Sequence, residues 1–207
     1  MKTLRLALVA AAAAATLTLQ GCEVLALGAI AGSTAAVAVD RRTTATQLED
    51  KTIELKAEQR AKELVGDRGN VSATAYNRNL LLTGQVATEA DKAAVAAAAQ
   101  KVDNVKGVVN ELTIGLPSSL ADRAGDSVLA GRVRAKLIDA ADVASTAFKI
   151  TVDSGVVYLM GMVTEAESRR ATQLAASVPG VKKVIRVLEL ISAEDLQKLR
   201  ARADGTR

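Results

Sequence analysis

The chain has 207 residues, 49% of them hydrophobic, with one cysteine, two tyrosines, one phenylalanine, no tryptophan and no histidine. Without histidine, Ser-His and Cys-His nucleophilic schemes are excluded, and a lone cysteine supplies neither a disulfide nor a thiolate metal cluster. The formal charge of +4 is too small for a nucleic-acid reader, which needs a concentrated basic face.

In chain order, Lys2 and Arg5 precede an apolar stretch from Leu6 to Leu19. That stretch is too short to span a bilayer, which takes about 20 apolar residues, and it predicts a signal peptide over residues 1–21. It ends in Leu19-Gln20-Gly21-Cys22, which resembles the lipobox of bacterial lipoproteins. The resemblance implies a diacylglycerol thioether and an N-acyl chain on Cys22; no other cofactor and no metal are expected. One acyl chain gives only marginal attachment, at roughly 0.8 kcal/mol per buried CH₂, whereas three hold a protein on the membrane. Glu23 rather than Asp follows the cysteine, and by resemblance to Gram-negative sorting signals this favours the outer membrane. Removing Lys2 and Arg5 lowers the surplus to +2, which matters only beside an anionic surface, where each cation contributes about 1 kcal/mol.

Residues 22–45 read as the acylated N-terminus and a flexible tether. Val24 to Val39 are apolar but too few to span a membrane, Asp40-Arg41-Arg42 close the stretch, and Thr43 to Leu48 continue the linker.

A first module is expected over 46–115. Ile53, Ala57, Ala61 and Leu64 share one face of a helix at about 50–65, with Glu58 and Lys62 as a solvated i,i+4 pair. Val71, Ala73 and Ala75 alternate as a half-buried strand, Asn77-Arg78-Asn79 makes a hairpin turn, and Leu80 to Val86 return. Thr88 with Asp91 reads as a capping box opening a second helix, whose inner face carries Val95, Ala99 and Val102. Lys106 to Ile114 form a last strand.

After a linker at 116–123, a second module is expected over 124–192. Its helix runs about 125–139, with Leu129, Val133, Leu137 and Ala140 as the core stripe and Val128, Arg132, Ala135 and Lys136 on the adjoining ridge. Its strands run about 147–153 and Val156 to Val163, around a Ser154-Gly155 turn. Thr164 with Glu167 is again a capping box, Ala171, Leu174, Ala175 and Val178 form the stripe, and Lys182 to Ile191 are the final strand. Residues 193–207 are a tail in which Ser192 and Asp195 cap a possible helix. The two modules repeat one another. Leu82-Thr83-Gly84-Gln85-Val86-Ala87-Thr88-Glu89-Ala90 returns as Leu159-Met160-Gly161-Met162-Val163-Thr164-Glu165-Ala166, and Val105-Lys106-Gly107-Val108 as Val181-Lys182-Lys183-Val184. Each module is near the size at which a single core is marginal, so the two are expected to dock and supplement each other.

The strand-Gly-x-Val turns at Gly84 and Gly161 and the Val-x-x-Val strands at Val105-Val108 and Val181-Val184 resemble the BON domain (bacterial OsmY and nodulation). With the lipobox, the whole chain resembles the dual-BON outer-membrane lipoproteins. That resemblance implies an α+β fold: two tandem α-β-β-α-β domains, each with helices packed on a small mixed three-stranded sheet. It also implies a periplasm-facing protein that binds anionic phospholipid such as phosphatidylglycerol through its second module and supports outer-membrane integrity. The lipid-contacting residues carried over are Val128, Leu129, Arg132, Val133, Ala135 and Lys136. Where the resemblance places an aromatic ring, Val128 buries less area. The residues by themselves leave two readings: a lipid-facing helix, or an ordinary amphipathic helix with a solvated cationic edge. The corresponding alternative function is a lipid-tethered scaffold for outer-membrane assembly or other envelope proteins. No enzymatic activity is expected, because the carboxylate pairs Glu89/Asp91 and Glu165/Glu167 sit at helix starts, where capping explains them.

Overall fold

The first helix begins before its expected start. Thr43 is an N-cap whose hydroxyl accepts the Thr46 N–H at 3.1 Å, so α1 runs Thr44–Val65 and takes in most of the expected linker. The computed structural model describes residues 40–205, with side chains through Ala201. The expected signal peptide, Cys22 and the tether as far as Val39 lie outside the described residues. Ile53, Ala57, Ala61 and Val65 are buried, whereas Leu64 is 43% exposed. The stripe follows successive i+4 steps and drifts by about 40° at each, which brings Val65 rather than Leu64 onto the sheet.

Strand β1 (Asn70–Tyr76) turns through Asn77 and Arg78 into β2 (Asn79–Val86). Both turn residues have positive φ, 49° and 67°, the geometry of a two-residue hairpin whose twist matches its strands. Helix α2 (Glu89–Gln100) starts at Thr88, which accepts the Asp91 N–H. The expected capping box is half-formed, because the Asp91 carboxylate takes the Thr88 hydroxyl at 2.8 Å. The expected last strand is broken into β3 (Gly107–Asn110) and β4 (Thr113–Ile114), both parallel to β2. Asn110 causes the break: its side-chain oxygen accepts the Leu112 N–H at 3.3 Å.

The second module repeats the order with α3 (Leu120–Ile138), β5 (Phe148–Asp153), β6 (Val156–Val163), α4 (Glu165–Ala176) and β7 (Lys183–Leu190), followed by α5 (Ala193–Gly205). Here the capping box Thr164/Glu167 is complete. Each sheet is an antiparallel hairpin joined by a helical crossover to a parallel third strand, with β2 and β6 in the middle. The fold is α+β, twice.

The alternation of the middle strands decides how the modules meet. Leu80, Leu82 and Val86 face their own helices, as do Val157, Leu159 and Val163. Leu81, Tyr158, Met160 and Met162 point the other way and, with Tyr76, form a third apolar cluster between the two sheets. The sheets thus pack back to back, helices outermost, and the modules dock as expected. Polar contacts rim the seam: Lys149 Nζ donates to the Ala75 carbonyl at 3.2 Å, Asn77 to Glu189 at 2.7 Å and Gln85 to Asp153 at 3.3 Å.

The outer edge of β1 is closed by carboxylates from α1. Glu58 accepts the Ala73 N–H at 3.1 Å, Glu54 that of Ala75 at 2.9 Å, and Asp50 those of Asn77 and Arg78 at 2.8 and 2.7 Å. Four residues of helix advance about 6 Å and two of strand about 6.8 Å, so i+4 steps on α1 keep pace with alternate amides on β1. Glu58 is therefore not the solvated partner of Lys62, which bonds Asp67 instead at 2.6 Å.

Candidate membrane-facing site

Helix α3 starts earlier than its apolar period suggested. Ser119 and Asp122 form a complete capping box, and the Ser119 hydrogen bonds hold the Asp122 carboxyl below its ordinary range. The residues expected as the end of the linker therefore form the first turn. Arg123 in that turn donates to the Asn70 side chain of the first module at 3.1 Å.

The six carried-over residues divide between two sides of α3. Leu129 and Val133 join Leu137 in the core, with Leu129 7% and Val133 0% exposed. They hold the helix to its sheet and are not surface contacts. Val128, at 56% exposed, lies in water with Arg132, Ala135 and Lys136. Among the described residues Arg132 and Lys136 have no ion-pair partner, so both charges are available to an external anion. Cys22 lies outside the described residues.

Extending the helix reveals a longer apolar surface. Leu120 (77% exposed), Ala124, Val128, Gly131, Ala135 and Ile138 (61% exposed) follow one another at steps of three and four and so share a face. This crest runs the length of the 19-residue helix, about 28 Å at 1.5 Å per residue. Leu120 and Ala124 were missed because the expected helix began near 125, and Ile138 because the expected ridge stopped at Lys136; carrying the period both ways from Val128 would have found them. Arg132 and Lys136 border the crest on one side. There they line an open depression of about 290 Å³ with Ala135, Asp139 and the Ser177-Val178-Pro179 loop. The arrangement offers methyl groups to an apolar phase and cations beside it to anions. Among the described residues no three His, Cys, Asp or Glu side chains gather to hold a metal.

Comparison with known proteins places both modules. The BON domain family matches residues 50–115 and again residues 125–192. The chain belongs to the BON-domain family. Outer membrane lipoprotein DolP of Haemophilus influenzae is 38% identical over 180 residues, covering 86% of this chain and 92% of that protein. A 21 kDa hemolysin of Actinobacillus pleuropneumoniae is 28% identical over 155 residues, covering 74% and 80%. Among solved structures, CdsD of the Chlamydia trachomatis type III secretion system covers 70% of this chain and 97% of its own, with 13% identity and a TM-score of 0.29. The site described above thus lies on the first helix of BON domain 2, and the back-to-back seam joins BON domains 1 and 2.

Proposed function

We propose that this chain is an outer-membrane lipoprotein, acylated on Cys22 and facing the periplasm, whose BON domain 2 binds anionic phospholipid along α3 and thereby supports envelope integrity. The likeness to DolP over most of both chains supports the location, as does the Leu19-Gln20-Gly21-Cys22 motif. The observation that carries the lipid reading is the exposed crest from Leu120 to Ile138 with Arg132 and Lys136 along its border. A contiguous apolar strip in water marks a partner or a membrane. A helix of this pattern lies in the interface plane with its apolar face about 5–10 Å into the headgroup and acyl boundary, and each bordering cation contributes about 1 kcal/mol against an anionic leaflet. The acyl anchor keeps the domain near that surface, so a modest intrinsic affinity suffices through effective concentration.

The test is an NMR titration of the mature chain carrying Cys22→Ser, which keeps every described residue but no acyl chain, with phosphatidylglycerol and then phosphatidylethanolamine micelles. Shifts centred on residues 120–138 are expected with the anionic lipid alone, and Arg132→Glu/Lys136→Glu abolishes them. Equal shifts with both lipids, or none, would leave the anchor as the membrane contact and favour a tethered scaffold for envelope proteins.

A further inference from the structure

BON domain 1 closes the edge of its first strand with its own carboxylates, and BON domain 2 does so only at one end. Asp126 stands where Asp50 stands, accepting the turn amides of Ser154 and Gly155 at 2.7 and 2.9 Å. The next two rungs are absent. One and two steps of i+4 along α3 come Ala130 and Arg134, in the places that Glu54 and Glu58 hold on α1. Aligning the hairpins on their turns makes Val152 and Ile150 the counterparts of Ala75 and Ala73. In the β5–β6 register Asp153 faces Val156 and Val152 faces Val157, so alternation turns the Val152 and Ile150 amides away from β6. Among the described residues neither amide has a hydrogen-bond partner, and Arg134, on that flank, has no ion pair.

An open run of strand amides beside a cation has a definite complement. An extended peptide adds to such an edge by backbone hydrogen bonds, and its side chains supply specificity. BON domain 1 shows which chemistry this edge accepts, since carboxylate oxygens occupy it there. BON domain 2 replaces two carboxylates with a methyl group and a guanidinium, removing the internal acceptors and reversing the local charge. We infer that the β5 edge, flanked by Ala130 and Arg134, is a docking site for an extended, acidic peptide segment of another protein. A second copy of this chain fits less well. Pairing two β5 edges sets one Arg134 toward another, while the strand's own carboxylate, Asp153, is already held by Gln85. The site is on the opposite flank of α3 from Arg132 and Lys136, so it is separate from the proposed lipid border.

The test uses the mature Cys22→Ser chain, a capped eight-residue peptide alternating threonine with glutamate, and its lysine counterpart. In the free protein the Ile150 and Val152 amides exchange at least tenfold faster than those of Ala73 and Ala75. The glutamate peptide shifts their NMR signals and slows their exchange, and the lysine peptide does neither. Ala130→Glu/Arg134→Glu rebuilds the ladder: it protects both amides without peptide and abolishes the peptide shifts, while Thr151, which pairs with Tyr158, serves as an unchanged control. Slow exchange of Ile150 and Val152 in the free protein, equal response to both peptides, or protection that grows with protein concentration would each overturn the proposal, the last by assigning the edge to a second copy. Titration with phosphatidylglycerol micelles reads the crest independently, so loss of either reading leaves the other measurable.

Discussion

The Arg41 guanidinium embraces the Glu167 carboxylate, 126 residues away, donating to it at 3.0 Å while also donating to the Met162 carbonyl at 2.6 Å. The Arg41 and Glu167 side chains are only 6% and 13% exposed. The next residue reaches the other module: Arg42 donates to Asp50 at 2.7 Å, and its guanidinium lies 4.1 Å from the centre of the Tyr76 ring. The segment expected as the end of a flexible tether is therefore stapled into the seam between the BON domains, one arginine to each.

Removing this staple should loosen the whole unit. Arg41→Ala leaves a nearly buried carboxylate without its cation, a change that costs roughly 3 kcal/mol. The urea midpoint should fall with little change in slope, and trypsin should cut after Arg42 faster than in the wild type. An unmoved midpoint would mean the pair is a surface contact of no consequence.

Acid should act through the same carboxylates. Burial alone would raise the Glu167 pKa, but the Arg41 and Thr164 hydrogen bonds outweigh it and hold the group below 4.5; Lys149 and the Ala75 amide do the same for Glu54. A depressed carboxyl contributes stability that is complete above its unfolded value and is lost as pH falls through the folded one. Stability should therefore decline below about pH 4.5, and Glu167→Gln or Glu54→Gln should flatten that decline. Asp153 has the opposite sign, because burial raises it above 3.8 against the Gln85 hydrogen bond; Asp153→Asn should raise stability near neutral pH relative to acid. Urea denaturation across the acid range checks all three.

Gly84 allows no side chain. It has φ of +113°, and a Cβ there would lie 1.9 Å from the Asn70 carbonyl oxygen. Its repeat partner Gly161 is also closed, with a Cβ only 2.4 Å from the Ala147 carbonyl oxygen. Gly84→Ala should cost at least the 1–3 kcal/mol typical of overpacking, because the obstacle is backbone, which cannot rotate away. Gly131→Ala, with nothing within 4 Å, should leave the melting temperature unchanged or raise it, since alanine favours helix by about 1 kcal/mol.

Val128 gives a lever on membrane affinity without touching the fold. Val128→Phe adds apolar area on the exposed crest and should tighten binding to phosphatidylglycerol vesicles by about fivefold, or roughly 1 kcal/mol. Val128→Asp should weaken binding by more, since it adds an anion facing an anionic surface. Both should change stability by less than about 0.5 kcal/mol. Vesicle co-sedimentation beside thermal melts distinguishes this from a packing role, in which the melts would move and the binding would not.

Local signals made most of the fold legible. Period-2 and period-3.6 apolar patterns, the Ser154-Gly155 turn and the Thr164/Glu167 box each depend on residues close in sequence, so their physics acts before any tertiary contact forms. Boundaries were less legible. Thr43 and Ser119 are N-caps whose helices open on residues that are not buried, Thr44 to Gln47 and Leu120 to Arg123, so the inward apolar stripes begin only after the first turns of α1 and α3.

By itself the sequence determined the two α-β-β-α-β modules and most of their inward stripes, because periodicity and capping are local quantities. Only the tertiary structure decided that Arg41 and Arg42 bridge the seam, that Asp50, Glu54 and Glu58 close a strand edge instead of facing water, and that Leu120 and Ile138 complete an exposed crest. Those outcomes depend on which carboxylate meets which distant amide or guanidinium. A charge takes its role from the groups that folding brings within about 3 Å of it, and no spacing along the chain records that distance.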